Sequence, residues 1–240
     1  MNEHLLFFRE NLAQFDINLT DKVLADQIQY LSHLFAANQK INLTSITDWE
    51  EAIIKHLIDS LLIMKTDYWQ KAEKILDVGS GAGFPGIPLA LCHRDREIVL
   101  IEANRKKAGF LHQIKDHYGL SNLQIISERA ESVARHREYR EQFHLVTARA
   151  VANLPTLLEL TTPFCRIGGV FIAYKGPETY EEIVSSQLAF KSLASEFIKS
   201  YTFILPHGKG KRNLLICRKI AATPEKYPRR PGIPNKKPLI

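Results

Sequence analysis

The chain has 240 residues, of which 45% are hydrophobic and 24% are charged, a balance typical of a folded globular protein. No apolar run approaches the roughly 18 residues that cross a bilayer, and the first residues lack a secretory signal. The three cysteines are scattered without the spacing of metal ligands, so no metal site is expected. We therefore expect a cytoplasmic protein without membrane contact, while the net charge of +6 permits a nucleic-acid partner.

Residues 1–70 are predicted to form an N-terminal helical cap that packs on the domain after it. Apolar side chains recur every three or four positions over residues 5–15 and 24–35, which indicates two amphipathic helices. Residues 47–50 read Thr-Asp-Trp-Glu, a capping box that predicts the start of a third helix.

Two polar groups interrupt this helical block. One is the linker at residues 38–44, and the other is His56 with Asp59 and Ser60 near one helix face. Either they form hydrogen bonds on a helix surface, or they lie near the mouth of a ligand site.

Residues 75–88 contain the stretch around which the chain is organised. The apolar run Lys74–Val78 predicts a buried strand, and three glycines at alternate positions begin at Gly79. Pro85 suits the first turn of a helix. Strand, glycine loop and helix start together predict the first crevice of a doubly wound α/β sheet, where such sheets bind ligands.

Two cofactors are compatible with this loop. Residues 81–86 fit the G-x-G-x-x-G pattern of a dinucleotide site, and Glu102 follows about 20 residues later. Asp77 favours S-adenosylmethionine instead, because a carboxylate at the strand end repels pyrophosphate and suits an ammonium or sulfonium group. Glu102 ends the next strand and can accept hydrogen bonds from ribose hydroxyls. We expect Asp77, Gly81 and Glu102 to bind the cofactor.

Short apolar runs and helical segments alternate after the loop. The further predicted strands are residues 98–101, 123–127, 143–150, 170–174, 201–205 and 213–217. A long helix is expected to end near residue 198, and the last two strands form a hairpin across a glycine- and lysine-rich turn. Residues 71–220 therefore predict an α/β fold, a Rossmann-like class I S-adenosylmethionine-dependent methyltransferase with a seven-stranded, mostly parallel sheet.

Residues 221–240 form a basic, proline-rich tail with five prolines. Regular helix or strand is not expected there, so we predict an extended arm, either disordered or laid along a partner, or else a solvated tail. Because the cofactor loops lie far back in the chain, the tail is expected to leave cofactor affinity nearly unchanged. The basic residues expected to contact RNA phosphates are Lys175, Arg212, Arg229, Arg230, Lys236 and Lys237.

Several motifs together resemble one protein family. They are Asn42-Leu43-Thr44-Ser45, His56-Leu57-Ile58-Asp59-Ser60, Asp77-Val78-Gly79-Ser80-Gly81-Ala82-Gly83-Phe84-Pro85-Gly86, Arg129-Ala130-Glu131, Thr147-Ala148-Arg149-Ala150 and Lys226-Tyr227-Pro228-Arg229-Arg230-Pro231-Gly232. Over nearly its whole length the chain resembles the bacterial small-subunit ribosomal RNA methyltransferases that modify N7 of a guanine in 16S rRNA. This family is also called glucose-inhibited division protein B.

The resemblance implies cofactor contacts at Gly79, Phe84, Ala130, Glu131 and Arg149. Glu131 would suit the adenine amino group, and Phe84 could supply an apolar wall. Arg149 could alternatively donate to guanine O6. It also implies 16S rRNA or the small ribosomal subunit as the partner, and we expect a monomer.

No catalytic base is assigned, because guanine N7 has a free lone pair and loses no proton on methylation. The chain lacks both the Asn/Asp-Pro-Pro-aromatic loop of amino-group methylation and a cysteine in the setting of carbon-5 methylation. Two alternatives stay open: an NAD-dependent oxidoreductase, and a non-catalytic ribosome-assembly factor that binds RNA.

Overall fold

The computed structural model describes residues 2–240, and one sheet runs through its centre. Its strands are β1 (Lys74–Val78), β2 (Glu97–Ile101), β3 (Leu123–Ile126), β4 (Phe143–Arg149), β5 (Cys165–Lys175), β6 (Ser195–Ile204) and β7 (Lys211–Lys219). The strand order is β3-β2-β1-β4-β5-β7-β6, and β7 runs antiparallel to both of its neighbours. The predicted seven-stranded, mostly parallel α/β sheet is confirmed.

Helices of 3 to 18 residues connect the strands and precede the sheet. They are α1 (Asn2–Ala13), α2 (Asp21–Asn38), α3 (Trp49–Ala52), α4 (Asp59–Leu61), α5 (Gly86–Cys92), α6 (Arg105–Tyr118), α7 (Ala130–Val133), α8 (Leu154–Thr161), α9 (Tyr180–Ser185), α10 (Gln187–Ser192) and α11 (Ile233–Lys236). Within residues 2–240, none of these helices combines the length and apolar character that a bilayer crossing needs.

The third predicted helix is less regular than its apolar spacing indicates. Between α3 and α4 the chain forms a π-helical turn, Ile53–Ile58, and a 3-10 turn, Leu62–Lys65, ends the stretch. The helix begins where predicted, but its N-cap is one residue later than in the predicted capping box, because Asp48 instead of Thr47 accepts from the backbone, from the Glu51 N–H at 2.8 Å. Such π-helical turns are frequent at functional sites, and His56 lies within this one.

The sheet is buried on both faces by apolar side chains. The first core contains cap residues such as Phe8 and Leu31 together with Ile75 and Leu100 of the sheet. The cap and the sheet therefore share one core, and the boundary at residue 70 stays a prediction. The second core covers the other face, where side chains such as Leu157 of α8 pack on β4 and β5.

The long helix predicted up to residue 198 is wrong. Two short helices, α9 and α10, end at Ser192, and β6 begins at Ser195. Residues 195–204 pair antiparallel with β7 along nearly their full length, from Ser195 to Ile204. The many backbone hydrogen bonds of that ladder outweigh the local helical spacing of the apolar residues.

The tail is neither disordered nor simply solvated, and it includes one short helix, α11. Residues 221–240 fold back on the protein, with the Tyr227 side chain only 7% exposed. The guanidinium of Arg140 donates to the carbonyls of Thr223 at 2.7 Å and Tyr227 at 3.0 Å. Prolines exclude the tail from the sheet, but its free carbonyls accept hydrogen bonds from these arginine donors.

Candidate active site

The glycine loop between β1 and α5 follows a path that side chains would block. Gly79 has a φ of +71°, and a Cβ there would lie 2.7 Å from Cγ2 of Val151. Gly83 has a φ of +102°, and a Cβ would come within 2.9 Å of both Tyr30 and Leu111. Glycine is therefore required at both positions, because each combines a left-handed backbone with a close neighbour.

Glu102 holds the loop in place from the end of β2. Its carboxylate accepts from the Gly81 N–H at 2.8 Å and from the Asn104 N–H at 2.7 Å. Each oxygen makes one of these bonds and retains a lone-pair site for a ligand. The side chain is 8% exposed, at the sheet edge where β1 and β2 both end.

Asp77 lies beneath the loop instead of facing the crevice. Its carboxylate is 1% exposed, and it accepts from the Thr147 hydroxyl at 3.1 Å and the Gly86 N–H at 3.3 Å. Burial raises the pKa of Asp77 to about 6, although hydrogen bonds from Ser80, Thr147 and Gly86 partly oppose the rise. In this position the carboxyl supports the first turn of α5.

A crevice of about 270 Å³ opens at the carboxyl ends of β1, β2 and β3. That volume lies just below the range of roughly 300–1,000 Å³ typical of small-molecule pockets. Among the predicted cofactor residues, Gly79, Ala130 and Glu131 line it. The others lie outside its lining: Asp77, Gly81, Phe84, Glu102 and Arg149.

Glu131 stands in the crevice wall with one oxygen already engaged. The side chain is 6% exposed, and Oε1 accepts from the Gly232 N–H of the tail at 2.8 Å. No hydrogen bond from within residues 2–240 occupies Oε2. Gly232 and Asn235 of the tail complete the same wall.

Phe84 is buried in a stack and does not form a crevice wall. Its ring lies 4.5 Å from the His56 ring at an interplanar angle of 12°, and the Arg149 guanidinium sits 5.1 Å from its centre. Nε2 of His56 lies 2.8 Å from the Thr44 hydroxyl. Burial and the nearby Arg149 lower the pKa of His56 to about 3, so the ring is neutral at physiological pH.

A second cavity of about 400 Å³ adjoins the crevice, and a carboxylate organises it. Asp59 is fully buried; its Oδ2 accepts from Arg149 at 2.9 Å and its Oδ1 from Arg212 at 2.6 Å. Of the polar groups of the helical cap, His56 and Asp59 line this cavity, whereas Ser60 and the linker at residues 38–44 lie outside its lining.

Lys175 and Arg212, two of the expected RNA contacts, also line the second cavity. Nζ of Lys175 donates to the Ala152 carbonyl at 2.9 Å and to Glu182 at 2.6 Å. Ala152 contributes to the walls of both cavities. The short segment after β4 therefore separates two sites that open side by side at one edge of the sheet.

Arg229 is placed unlike the other basic residues of the tail. Its guanidinium forms a two-pronged ion pair with Glu159, which is fully buried, at 2.9 and 2.6 Å. This pair turns Arg229 toward the protein. Within residues 2–240, no ion pair engages the exposed side chains of Arg230, Lys236 and Lys237.

The sequence patterns miss the tail residues of the crevice and the partnership of Asp59 with Arg212. Gly232 and Asn235 are far along the chain from the glycine loop, and no periodicity connects them to it. The one available signal is Gly232 itself, since a glycine after Arg-Arg-Pro permits the left-handed backbone found there, with a φ of +83°.

Solved structures share this fold at low sequence identity. The O-methyltransferase TomG from Streptomyces achromogenes, in complex with SAM, has a TM-score of 0.54 and 18% identity, covering 80% of this chain and 90% of that one. An O-methyltransferase from Bacillus cereus, in complex with SAH, gives the same values. These likenesses show the fold alone.

Sequence relatives match this chain at much higher identity than the solved structures do. Ribosomal RNA small subunit methyltransferase G from Clostridium novyi is 41% identical over 94% of this chain and 93% of the relative. The protein of that name from Halalkalibacterium halodurans is 40% identical over 97% of this chain and 98% of the relative. The family model for rRNA small subunit methyltransferase G, named GidB, matches residues 24–214. The chain belongs to this methyltransferase family.

Proposed function

We propose that the protein transfers a methyl group from S-adenosyl-L-methionine to N7 of a guanine in 16S rRNA. Membership of the rRNA small subunit methyltransferase G family supports methylation of ribosomal RNA. The observation that carries the proposal is the pair of cavities sharing Ala152, because a cofactor and a base could meet at that wall.

The residues of the first crevice suit S-adenosylmethionine, which supplies a methyl carbon bonded to a sulfonium. Gly79 and Val151 both line the crevice, and any Cβ at Gly79 would press against Val151. We infer that Oε2 of Glu131 accepts from the adenine amino group, and that Glu102, which lies outside the lining, accepts from a ribose hydroxyl. Glu102 would suit the ribose of a dinucleotide as well, so family membership is what favours S-adenosylmethionine over a pyrophosphate cofactor.

The second cavity suits a guanine. Arg149 and Arg212 share the buried Asp59 between them, which holds both guanidiniums in fixed positions. Arginine commonly donates to guanine O6 and N7 together, and donation to O6 alone would leave the N7 lone pair free for the methyl carbon. We therefore assign Arg149 to the base instead of to the cofactor, because it lines the second cavity and not the first.

No group in the second cavity is suited to act as a general base. His56 has a pKa of about 3 and binds protons weakly, and both oxygens of Asp59 accept from arginines. Attack by N7 releases no proton, so the reaction needs none of them as a base. The residues then contribute by aligning N7 with the methyl carbon and by excluding water.

The proposed partner is 16S rRNA or the assembled small subunit, which places the reaction in the cytoplasm. The proposed functional unit is a monomer, because one chain supplies the walls of both cavities.

The test is a methylation assay with the purified protein, S-adenosylmethionine and either 16S rRNA or small subunits from cells that lack the protein. Digestion and mass spectrometry should find 7-methylguanosine, and RNA containing 7-deazaguanosine should gain no methyl group. A methyl group on another atom would refute the assignment to N7. Binding of NADH in preference to S-adenosylmethionine would instead support an oxidoreductase, and cofactor binding without turnover on either substrate would support an assembly factor.

A further inference from the structure

The tail segment at residues 227–237, called the strap below, forms one side of the cofactor crevice. Gly232 and Asn235 are its residues in the crevice wall, beside Glu131 and Thr156. The Thr156 hydroxyl donates to the carbonyl of Pro234 at 3.2 Å, within a buried contact between α8 and the strap. The strap is thus seated on the methyltransferase domain and forms part of a ligand-sized crevice.

Gly232 orients the carboxylate expected to bind adenine. Its N–H donates to Oε1 of Glu131 at 2.8 Å, and its φ of +83° is a backbone conformation that favours glycine. A carboxylate accepts at both oxygens, so this bond fixes the group and leaves Oε2 for a ligand. The strap therefore orients the Glu131 carboxylate and does not compete with the ligand for Oε2.

Buried contacts anchor the strap just before Gly232. The fully buried Glu159 accepts from the Arg229 guanidinium at both oxygens and from the Arg229 backbone N–H at 2.8 Å. Arg135 donates to the carbonyl of Pro228 at 2.6 Å. A two-pronged ion pair with a third hydrogen bond is among the strongest polar contacts a protein forms, so it holds the strap firmly against the domain.

Asn235 presents its side chain in the crevice wall without a partner. The side chain is exposed and makes no hydrogen bond within residues 2–240. A carboxamide offers two donors and one acceptor, which is the set needed to pair with the ring nitrogen and amino group of adenine. We propose that the strap is a working part of the S-adenosylmethionine site, with Asn235 as a cofactor ligand and Arg229 as the residue that positions it.

This inference rests on the proposed function, since it concerns the same crevice. It reverses the expectation that the tail leaves cofactor affinity nearly unchanged, and it separates Arg229 from the RNA contacts. The physical basis is the pairing of Arg229 with Glu159, which lies 70 positions away in the sequence.

The experiment measures the Kd for S-adenosylmethionine by calorimetry on the full-length protein and four variants. Arg229→Ala should raise the Kd about tenfold or more, because it releases the anchor of the strap. Its matched control, Arg230→Ala, removes the same charge from the exposed side chain of the next residue, and its Kd should stay within twofold of the wild-type value. Asn235→Ala should raise the Kd about two- to tenfold, the effect of one hydrogen bond, while Lys236→Ala should not.

A second measurement separates positioning from general loosening of the fold. S-inosylhomocysteine carries a carbonyl and a protonated ring nitrogen where S-adenosylhomocysteine has the amino group and an acceptor nitrogen, so the ratio of their Kd values reports how well that edge of adenine is recognised. The wild-type protein should prefer the adenosyl compound, and Arg229→Ala and Asn235→Ala should shrink that preference. Damage that is merely structural would weaken both ligands equally.

The possible failures are distinct. A wild-type protein that binds no S-adenosylmethionine would refute the proposed function and the role of the strap with it. A wild-type protein that binds, with Asn235→Ala equal to Lys236→Ala and an unchanged adenosyl preference, would refute the strap alone. Should Arg229→Ala not fold, the exposed Asn235 still decides the question.

Discussion

Replacing Asp59 with asparagine should destabilise the protein and disable the second cavity. The carboxylate is fully buried and accepts from Arg149 at 2.9 Å and Arg212 at 2.6 Å. The amide retains the size but leaves two guanidiniums adjacent without a counterion. Breaking a buried ion pair costs about 3–5 kcal/mol, and we expect about 3 because both guanidiniums partly reach solvent. Their side chains are 11% and 20% exposed.

Urea unfolding of the wild-type protein and Asp59→Asn measures this loss. The control is Glu196→Gln, which makes the same chemical change at an exposed arginine pair, since Glu196 accepts from Arg218 at 3.0 and 2.5 Å. A surface pair contributes roughly 0–1 kcal/mol, so the control should lose little. Equal losses in the two variants would show that Asp59 is not the organising charge of the cavity.

Four further predictions concern the crevice and the tail. Gly79→Val should abolish S-adenosylmethionine binding while the protein stays folded, because a Cβ there meets Val151 at 2.7 Å, and calorimetry measures the loss. The control is Gly208→Val, at a position with a φ of +66° and open space around it, which should bind the cofactor normally. Glu102→Gln should weaken binding about ten- to a hundredfold, since a charged acceptor contributes roughly 1.5–3 kcal/mol; affinity within twofold of wild type would exclude that role. The pKa of Asp77 is about 6 in the folded protein, against an ordinary value of 3.8. The contribution of Asp77 to the free energy of unfolding should therefore fall as the pH rises between those two values, and urea unfolding of Asp77→Asn at several pH values should lack that fall. Combined alanine replacement of Arg230, Lys236 and Lys237 should reduce the slope of log affinity for rRNA against log salt concentration by about 2, at roughly 0.7 per single-strand contact, as measured by filter binding. An unchanged slope would leave RNA recognition to other basic residues.

Local patterns predict the sheet and the glycine loop well. The run from Lys74 through the alternate glycines is contiguous, so the strand, turn and helix follow from neighbouring residues. Glu102 was identifiable because the carboxyl ends of adjacent parallel strands lie together. Its position beside the Gly81 N–H agrees with that reasoning.

Contacts between distant residues could not be predicted in the same way. Asp77 was expected to face the ligand, but its direction depends on Thr147 and Gly86, which offer it donors beneath the loop. Prolines exclude the tail from regular strand pairing, yet they do not prevent its carbonyls from binding arginines. The sequence predicts that Arg229 contacts RNA because nothing in the pattern indicates its pairing with the buried Glu159.

The two arginine contacts of Asp59 have a consequence for how the protein forms. They join residues that lie 90 and 153 positions apart in the chain, and contacts of such long range slow folding. During synthesis, Asp59 leaves the ribosome long before Arg212 exists to pair with it. A chain that ends before β7 therefore has Arg149 to pair with Oδ2 of Asp59 but no Arg212 to donate to Oδ1. The second cavity is therefore complete only in a chain that extends into β7, the strand that supplies Arg212.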